Sequence, residues 1–181
     1  MSKLTPPIHC LLVALLVIAV GYSLALGQKE SSNALSVTLK TDRLKYRVGE
    51  KIKFDVALLN SGDSPIYLYG YLSWGYSSSF TLHVMNATGR EIQAKELDDS
   101  LTPPPPSDDR GAFIKLNPEH FFGTTRVASL DELNINRPGR YKIKVGYQSP
   151  IPNSFSQGLP IWSREEGWLE SNIVEIEVIR R

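Results

Sequence analysis

Five stretches of this chain alternate between apolar and polar residues, and that period of two constrains the fold more than any other feature of the sequence. Leu35, Val37 and Leu39 alternate with Ser36, Thr38 and Lys40, and Ile52, Phe54, Val56 and Leu58 with Lys51, Lys53 and Asp55. Phe80, Leu82 and Val84 follow the same rule, as do Tyr141, Ile143, Val145 and Tyr147, and finally Val174, Ile176 and Val178. Successive side chains of a strand point to opposite faces, so each run predicts a strand with one face in a core and one in water. Weaker runs at 66–71, 112–116 and 124–130 raise the expected number of strands to about eight.

Turn chemistry separates these runs: Val48-Gly49-Glu50, Asn60-Ser61-Gly62-Asp63, Ala87-Thr88-Gly89 and Arg137-Pro138-Gly139. No long amphipathic helical pattern intervenes. Short strands joined by turns, without crossover helices, predict an all-β fold, an antiparallel sandwich or barrel.

The first 27 residues read as a targeting element that precedes the domain. Lys3 is followed by a continuous apolar run from Cys10 to Val20, and Ala25 and Gly27 supply the small residues of a signal-peptidase site before Gln28. The competing reading is an uncleaved inner-membrane anchor, because 8–26 approaches the roughly 20 apolar residues that span a bilayer. Either way the positive N-terminus stays in the cytoplasm and the remainder is exported, to the periplasm or beyond. A short linker, 28–34, then leads into a domain over 35–181, and membrane contact is expected only through the N-terminal segment.

About 150 residues remain for that domain, enough to hide roughly 70% of the unfolded surface in one core. Cys10 is the single cysteine of the chain, so the domain is stabilised by packing without a disulfide. The 20 basic and 19 acidic residues nearly balance and lie interspersed. No cluster of Lys and Arg is available to neutralise phosphates, which argues against nucleic acid as a partner.

The segment Leu133-Asn134-Ile135-Asn136-Arg137-Pro138-Gly139-Arg140-Tyr141 resembles the tyrosine corner of immunoglobulin-like domains. That resemblance implies an immunoglobulin-like antiparallel sandwich in which the Tyr141 hydroxyl turns back onto upstream backbone. Ile143 stands where antibody domains carry a cysteine. The stretch from Tyr46 through Val48-Gly49-Glu50 to Asn60 is similar to the strand-turn-strand entry of extracytoplasmic bacterial Ig-like modules. It also resembles macroglobulin-type domains and the small proteinase-inhibitor family typified by the Bacillus intracellular inhibitor. Such motifs specify a fold better than an activity.

Catalytic chemistry finds little to work with. His83 and His120 are the only histidines after the N-terminal segment, one on the polar face of a strand and one in a turn, and no nucleophile or zinc motif accompanies them. Asp98, Asp99, Asp108 and Asp109 flank the run from Pro103 to Pro106 without the spacing of a calcium loop. Neither a catalytic residue nor a metal or cofactor is expected.

Two candidate surfaces remain. Tyr67, Tyr69 and Tyr71 alternate along one strand face, with Trp74 and Tyr76 close behind. A displayed row of rings stacks on sugars, whereas a row turned inward is core packing, and strand register decides between them. The second surface is the long strand-poor segment from Ser149 to Glu170, where Trp162 and Trp168 bracket Arg164, Glu165 and Glu166. The sequence therefore predicts a non-enzymatic, exported binding or structural module of the cell envelope that presents loops to a protein partner. The alternatives are a carbohydrate-binding module using the aromatic row, with a glycan as partner, and a protease inhibitor.

Overall fold

The computed structural model describes residues 34–75, 78–95, 103–105 and 108–180. The targeting segment, with Ala25, Gly27 and Gln28, lies outside the described residues, as do Tyr76, Asp98, Asp99 and Pro106. The strands are β1 (Leu35–Thr41), β2 (Lys45–Arg47), β3 (Lys51–Asn60), β4 (Ile66–Tyr69), β5 (Phe80–Asn86), β6 (Glu91–Ile92), β7 (Phe113–Leu116), β8 (Phe121–Ser129), β9 (Gly139–Tyr147), β10 (Leu169–Glu170) and β11 (Val174–Ile179). All eight expected strands are among them. The three additional ones, β2, β6 and β10, are two or three residues long, too short to show a period.

The fold is an immunoglobulin-like β-sandwich. One sheet has the order β1-β3-β8; the other runs β2-β11-β9-β5-β6, with β10 pairing β9 beside β11. Their facing sides hold the core. Leu35, Val37 and Leu39 of β1 and Ile52, Phe54, Val56 and Leu58 of β3 meet Phe80, Leu82 and Val84 of β5 and Tyr141, Ile143, Val145 and Tyr147 of β9. The alternation read from the sequence thus marks the buried face strand by strand. Among the paired strands one departs from the expected purely antiparallel arrangement: β2 runs parallel to β11, with Tyr46 beside Val178. A three-residue strand can add to an edge in either direction, since its few bonds require no hairpin connection.

Two side-chain devices tie the layers together. Tyr46 is buried, and its hydroxyl donates to Asp42 Oδ1 at 2.8 Å, while the same oxygen accepts the Lys53 N–H at 2.9 Å. Burial and the adjacent Asp42 carboxylate push the Tyr46 hydroxyl up to about 12. Burial works to raise Asp42, but the bonds from Lys53, Tyr46 and Arg43 outweigh it and hold the carboxyl below its usual range. At the opposite corner the Tyr141 hydroxyl donates to Arg137 O at 2.8 Å, the contact that the tyrosine-corner resemblance implied.

Beyond Asn60 the paired strands β3 and β8 turn a corner and continue as β4 and β7, which form a separate two-stranded sheet. Asn60 holds the corner. It is fully buried and satisfies its amide completely, donating to Ser64 O and Leu116 O at 2.9 Å and accepting from Gly62 N at 3.0 Å. Among the described residues no helix is long and apolar enough to cross a membrane.

Candidate functional site

The tyrosine strand and the long loop, read from sequence as two surfaces, pack on each other. β4 pairs β7 on one side, and on its other side Tyr67 N donates to Pro160 O at 3.0 Å while Trp162 N donates to Tyr67 O at 2.8 Å. The alternation of β4 then serves two interiors. Ile66 and Leu68 join the main core, and Tyr69 joins Phe113, Ile151 and Ile161 in a second, smaller one, with Tyr67 packed against it. The Tyr69 hydroxyl donates to Pro103 O at 2.7 Å, so Pro103 also lies against this strand. Tyr69 and Trp74 are buried and Tyr67 is half-buried, and among the described rings of the row only Tyr71, 49% exposed, faces water. These rings form a packed face and not a displayed row.

The loop is likewise drawn inward. Trp162 is buried, and its indole N–H finds no partner among the described residues. The Arg164 guanidinium donates to Pro150 O and Glu165 accepts the Asn153 N–H at 3.0 Å, so both charged groups brace the loop's own backbone. Glu166 is exposed. Trp168 leaves the loop to lie across Gly146 of β9, where an added Cβ would meet the indole at 1.7 Å, and its ring stands edge-on to His83.

That places Trp168 on the outer face of the six-stranded sheet, which carries a ladder of opposite charges. Lys144 reaches Glu170 at 2.6 Å, Lys142 reaches Glu175 at 3.3 Å, Lys45 reaches Glu177 at 3.2 Å, and His83 Nδ1 meets Glu91 at 2.7 Å. The Lys144 ammonium bonds the Glu170 carboxylate and holds it below the usual range despite slight burial. Basic and acidic groups thus face each other across neighbouring strands over the width of this sheet.

The outer face of the three-stranded sheet is built differently along β8. Here Phe121, Gly123, Thr125 and Val127 point outward, with Phe121 73% and Val127 56% exposed, while Arg126 points inward, its guanidinium 5.7 Å from the Trp74 ring centroid. Register sets Leu59 beside Phe121, Ala57 beside Gly123 and Asp55 beside Thr125, whose hydroxyl donates to that carboxylate at 2.6 Å. The two small residues in the middle leave an open groove of about 570 Å³, bounded by Thr38 and Lys40 of β1 on one side and Phe121 on the other. Only glycine fits at 123, since a Cβ there would lie 2.1 Å from Val56 O. Single exposed apolar residues are ordinary on a protein surface, and Leu44 and Ile173 are such cases. Phe121 and Val127 stand at the two ends of this face, about 20 Å apart, with Gly123 and Thr125 between them and the groove beside Phe121.

Sequence reasoning missed this face because its polarity is inverted. On β8 Arg126 points in while Phe121 and Val127 point out, although Phe122 packs against the core, so the rule that finds the core assigns these residues to the wrong side. The available signal was the pair Phe121-Phe122, which no alternating strand can bury together. Among the described residues no cluster of three or more His, Cys, Asp or Glu is arranged to hold a metal. His120 lies in the exposed turn before β8.

No family model matches the chain, and neither does any curated protein. Solved structures with a similar course include the β-glucosidase EmGH1 of Erythrobacter marinus, at 13% identity and a TM-score of 0.40, matching 80% of this chain and 15% of the enzyme's. The CARDB domain of the PF1109 protein of Pyrococcus furiosus matches at 12% identity and a TM-score of 0.38, over 81% of this chain and 94% of its own. Spo0M, a sporulation control protein of Bacillus subtilis, matches at 11% and 0.42, over 81% and 49%. This chain spans about a seventh of the glucosidase's length.

Proposed function

We propose that this domain is a non-enzymatic, exported binding module of the cell envelope, which meets a protein partner through the β8 side of its three-stranded sheet. The observation that carries the reading is the pair of outward apolar side chains, Phe121 and Val127, on a strand whose outer face carries no charge, beside the Ala57–Gly123 groove; the Lys53–Asp55 ion pair lies on the adjoining β3. An exposed phenyl ring flanked by small residues is the kind of anchor-and-cleft surface on which protein interfaces concentrate their binding energy. The proposed contact surface accordingly moves from the loops to a sheet face, because the 149–170 loop buries Trp162 and braces its own backbone with Arg164 and Glu165, although Phe155 and Trp168 remain part-exposed. A glycan platform finds less support, since Tyr69 and Trp74 are buried. The non-enzymatic part of the proposal is supported by the two described histidines: His83 is engaged by Glu91 and Trp168, and His120 sits in a turn.

The test is site-specific photocrosslinking of the full chain in its native membrane, with a photoreactive residue at Phe121 or Val127 and a control at Lys142. Discrete protein adducts from 121 and 127, and none from 142, are expected. Adducts of equal yield at all three positions, or none at 121 and 127, would contradict the reading.

A further inference from the structure

The open side of β8 has its own geometry. Leu130 N donates to Glu50 O at 2.9 Å, which makes 50 and 130 a hydrogen-bonded pair of the β3–β8 ladder. Bonded and non-bonded pairs alternate in an antiparallel ladder, so the backbone of Phe122, Thr124, Arg126 and Ala128 faces β3. The N–H and C=O groups of Phe121, Gly123, Thr125 and Val127 therefore point away from the sheet, and none has a backbone partner among the described residues. Ser129 closes one end of this edge: its N–H donates to Glu132 at 2.8 Å and its carbonyl accepts from Leu133 at 3.3 Å. Glu119, at a φ of 62°, turns the chain at the other.

Edge strands of monomeric proteins are blunted by outward lysines, prolines, bulges or brevity. β8 is nine residues long, pairs β3 in unbroken register, contains no proline, and carries its one charge, Arg126, on the inner face.

We infer that β8 pairs antiparallel with β8 of a second copy of this chain, about a twofold axis at Thr124, joining the two three-stranded sheets into one of six. The inference rests on the proposed function and names the partner. The twofold sets Phe121 of each copy opposite Val127 of the other and Gly123 opposite Thr125. Every outward backbone group of the edge is then paired, and each exposed ring lies against an exposed branched side chain, one of the cross-strand combinations that stabilise sheets. Electrostatics do not oppose it, because the meeting residues are uncharged and the whole chain carries a net charge of only +1. A strand from an unrelated protein would satisfy the same backbone groups, but only self-pairing provides the complementary side chains from residues already in place.

The test uses the full chain in cells, with Cys10→Ser removing the native thiol. Hydrogen-bonded antiparallel pairs have Cα atoms about 5.5 Å apart, inside the roughly 4.4–6.8 Å that a disulfide spans. Phe121→Cys combined with Val127→Cys is expected to give, on oxidation, a disulfide-linked band of twice the chain's mass, while Lys142→Cys stays monomeric. Adding Thr125→Pro removes an edge N–H that the fold does not use and should cut the linked band at least tenfold. Thr125→Gln, at the same position, keeps that N–H and should leave the band intact. No band above the Lys142→Cys control, or a band indifferent to Thr125→Pro, overturns the self-pairing. In that case a photocrosslinked adduct at Phe121 to a different protein leaves the proposed function standing, and no adduct of any kind removes both.

Discussion

Lys142 and Lys144, on the six-stranded sheet, each stand against a glutamate from the neighbouring strand, whereas Phe121 and Val127, on the three-stranded sheet, stand open to water. Both faces belong to one sandwich and both cover the same core, so the difference does not arise from the needs of folding. A charged ladder keeps a sheet face solvated and discourages association. The edge strand β8, with Phe121 and Val127 turned to water and no charge on its outer face, lacks that protection, and the charges of its sheet, among them Lys53 and Asp55, lie on the strands behind it. The comparison teaches that the functional signal lies in what the fold leaves unprotected.

The sharpest way to break the contrast is Gly123→Val. Its Cβ would collide with Val56 O, and the substitution is expected to destabilise the domain by about 3 kcal/mol and fill the groove, read by denaturant unfolding. On the opposite face, Gly146→Ala expels the Trp168 indole from its seat. A loss of about 1–2 kcal/mol is expected, with a red shift in tryptophan emission; unchanged emission would mean that the indole does not rest there. Asp42→Asn probes the staple that serves both sheets. The Asp42 carboxyl is held below its ordinary value of 3.8 in the folded state, so its contribution is present above that value and lost as pH falls through the depressed one. The variant should be less stable by about 1 kcal/mol at pH 7, with the difference shrinking below about pH 4. Smallest of all, Lys142→Ala and Phe121→Ser should each change stability by no more than about 0.5 kcal/mol. Phe121→Ser alone should abolish crosslinking from Val127, which separates a residue kept for contact from one kept for folding.

Much of the sandwich was legible because β1, β3, β5, β9 and β11 have two unlike faces, and period two records that difference residue by residue. Tyr141 was legible because a corner is a local device whose parts lie within a few residues. What the sequence obscured depended on distant partners. The tyrosines of β4 look displayed until Ile151 and Ile161, some 80 to 95 residues away, are seen to cover them. Two interiors on opposite sides of one strand erase the contrast between faces on which the reading depends. β8 was read from Thr124 onward, and its exposed beginning at Phe121 was missed, because apolar residues turned to water follow no rule that folding imposes.

Both proposals for this surface depend on the open edge of β8, and backbone amide exchange along that strand in dilute protein probes the edge itself. Amides of Phe122, Thr124, Arg126 and Ala128 should exchange slowly, while those of Phe121, Gly123, Thr125 and Val127 exchange quickly and become protected as the concentration is raised. Uniform protection along the strand at every concentration would show that the edge is already covered within a single chain, and would contradict the pairing of two copies through β8.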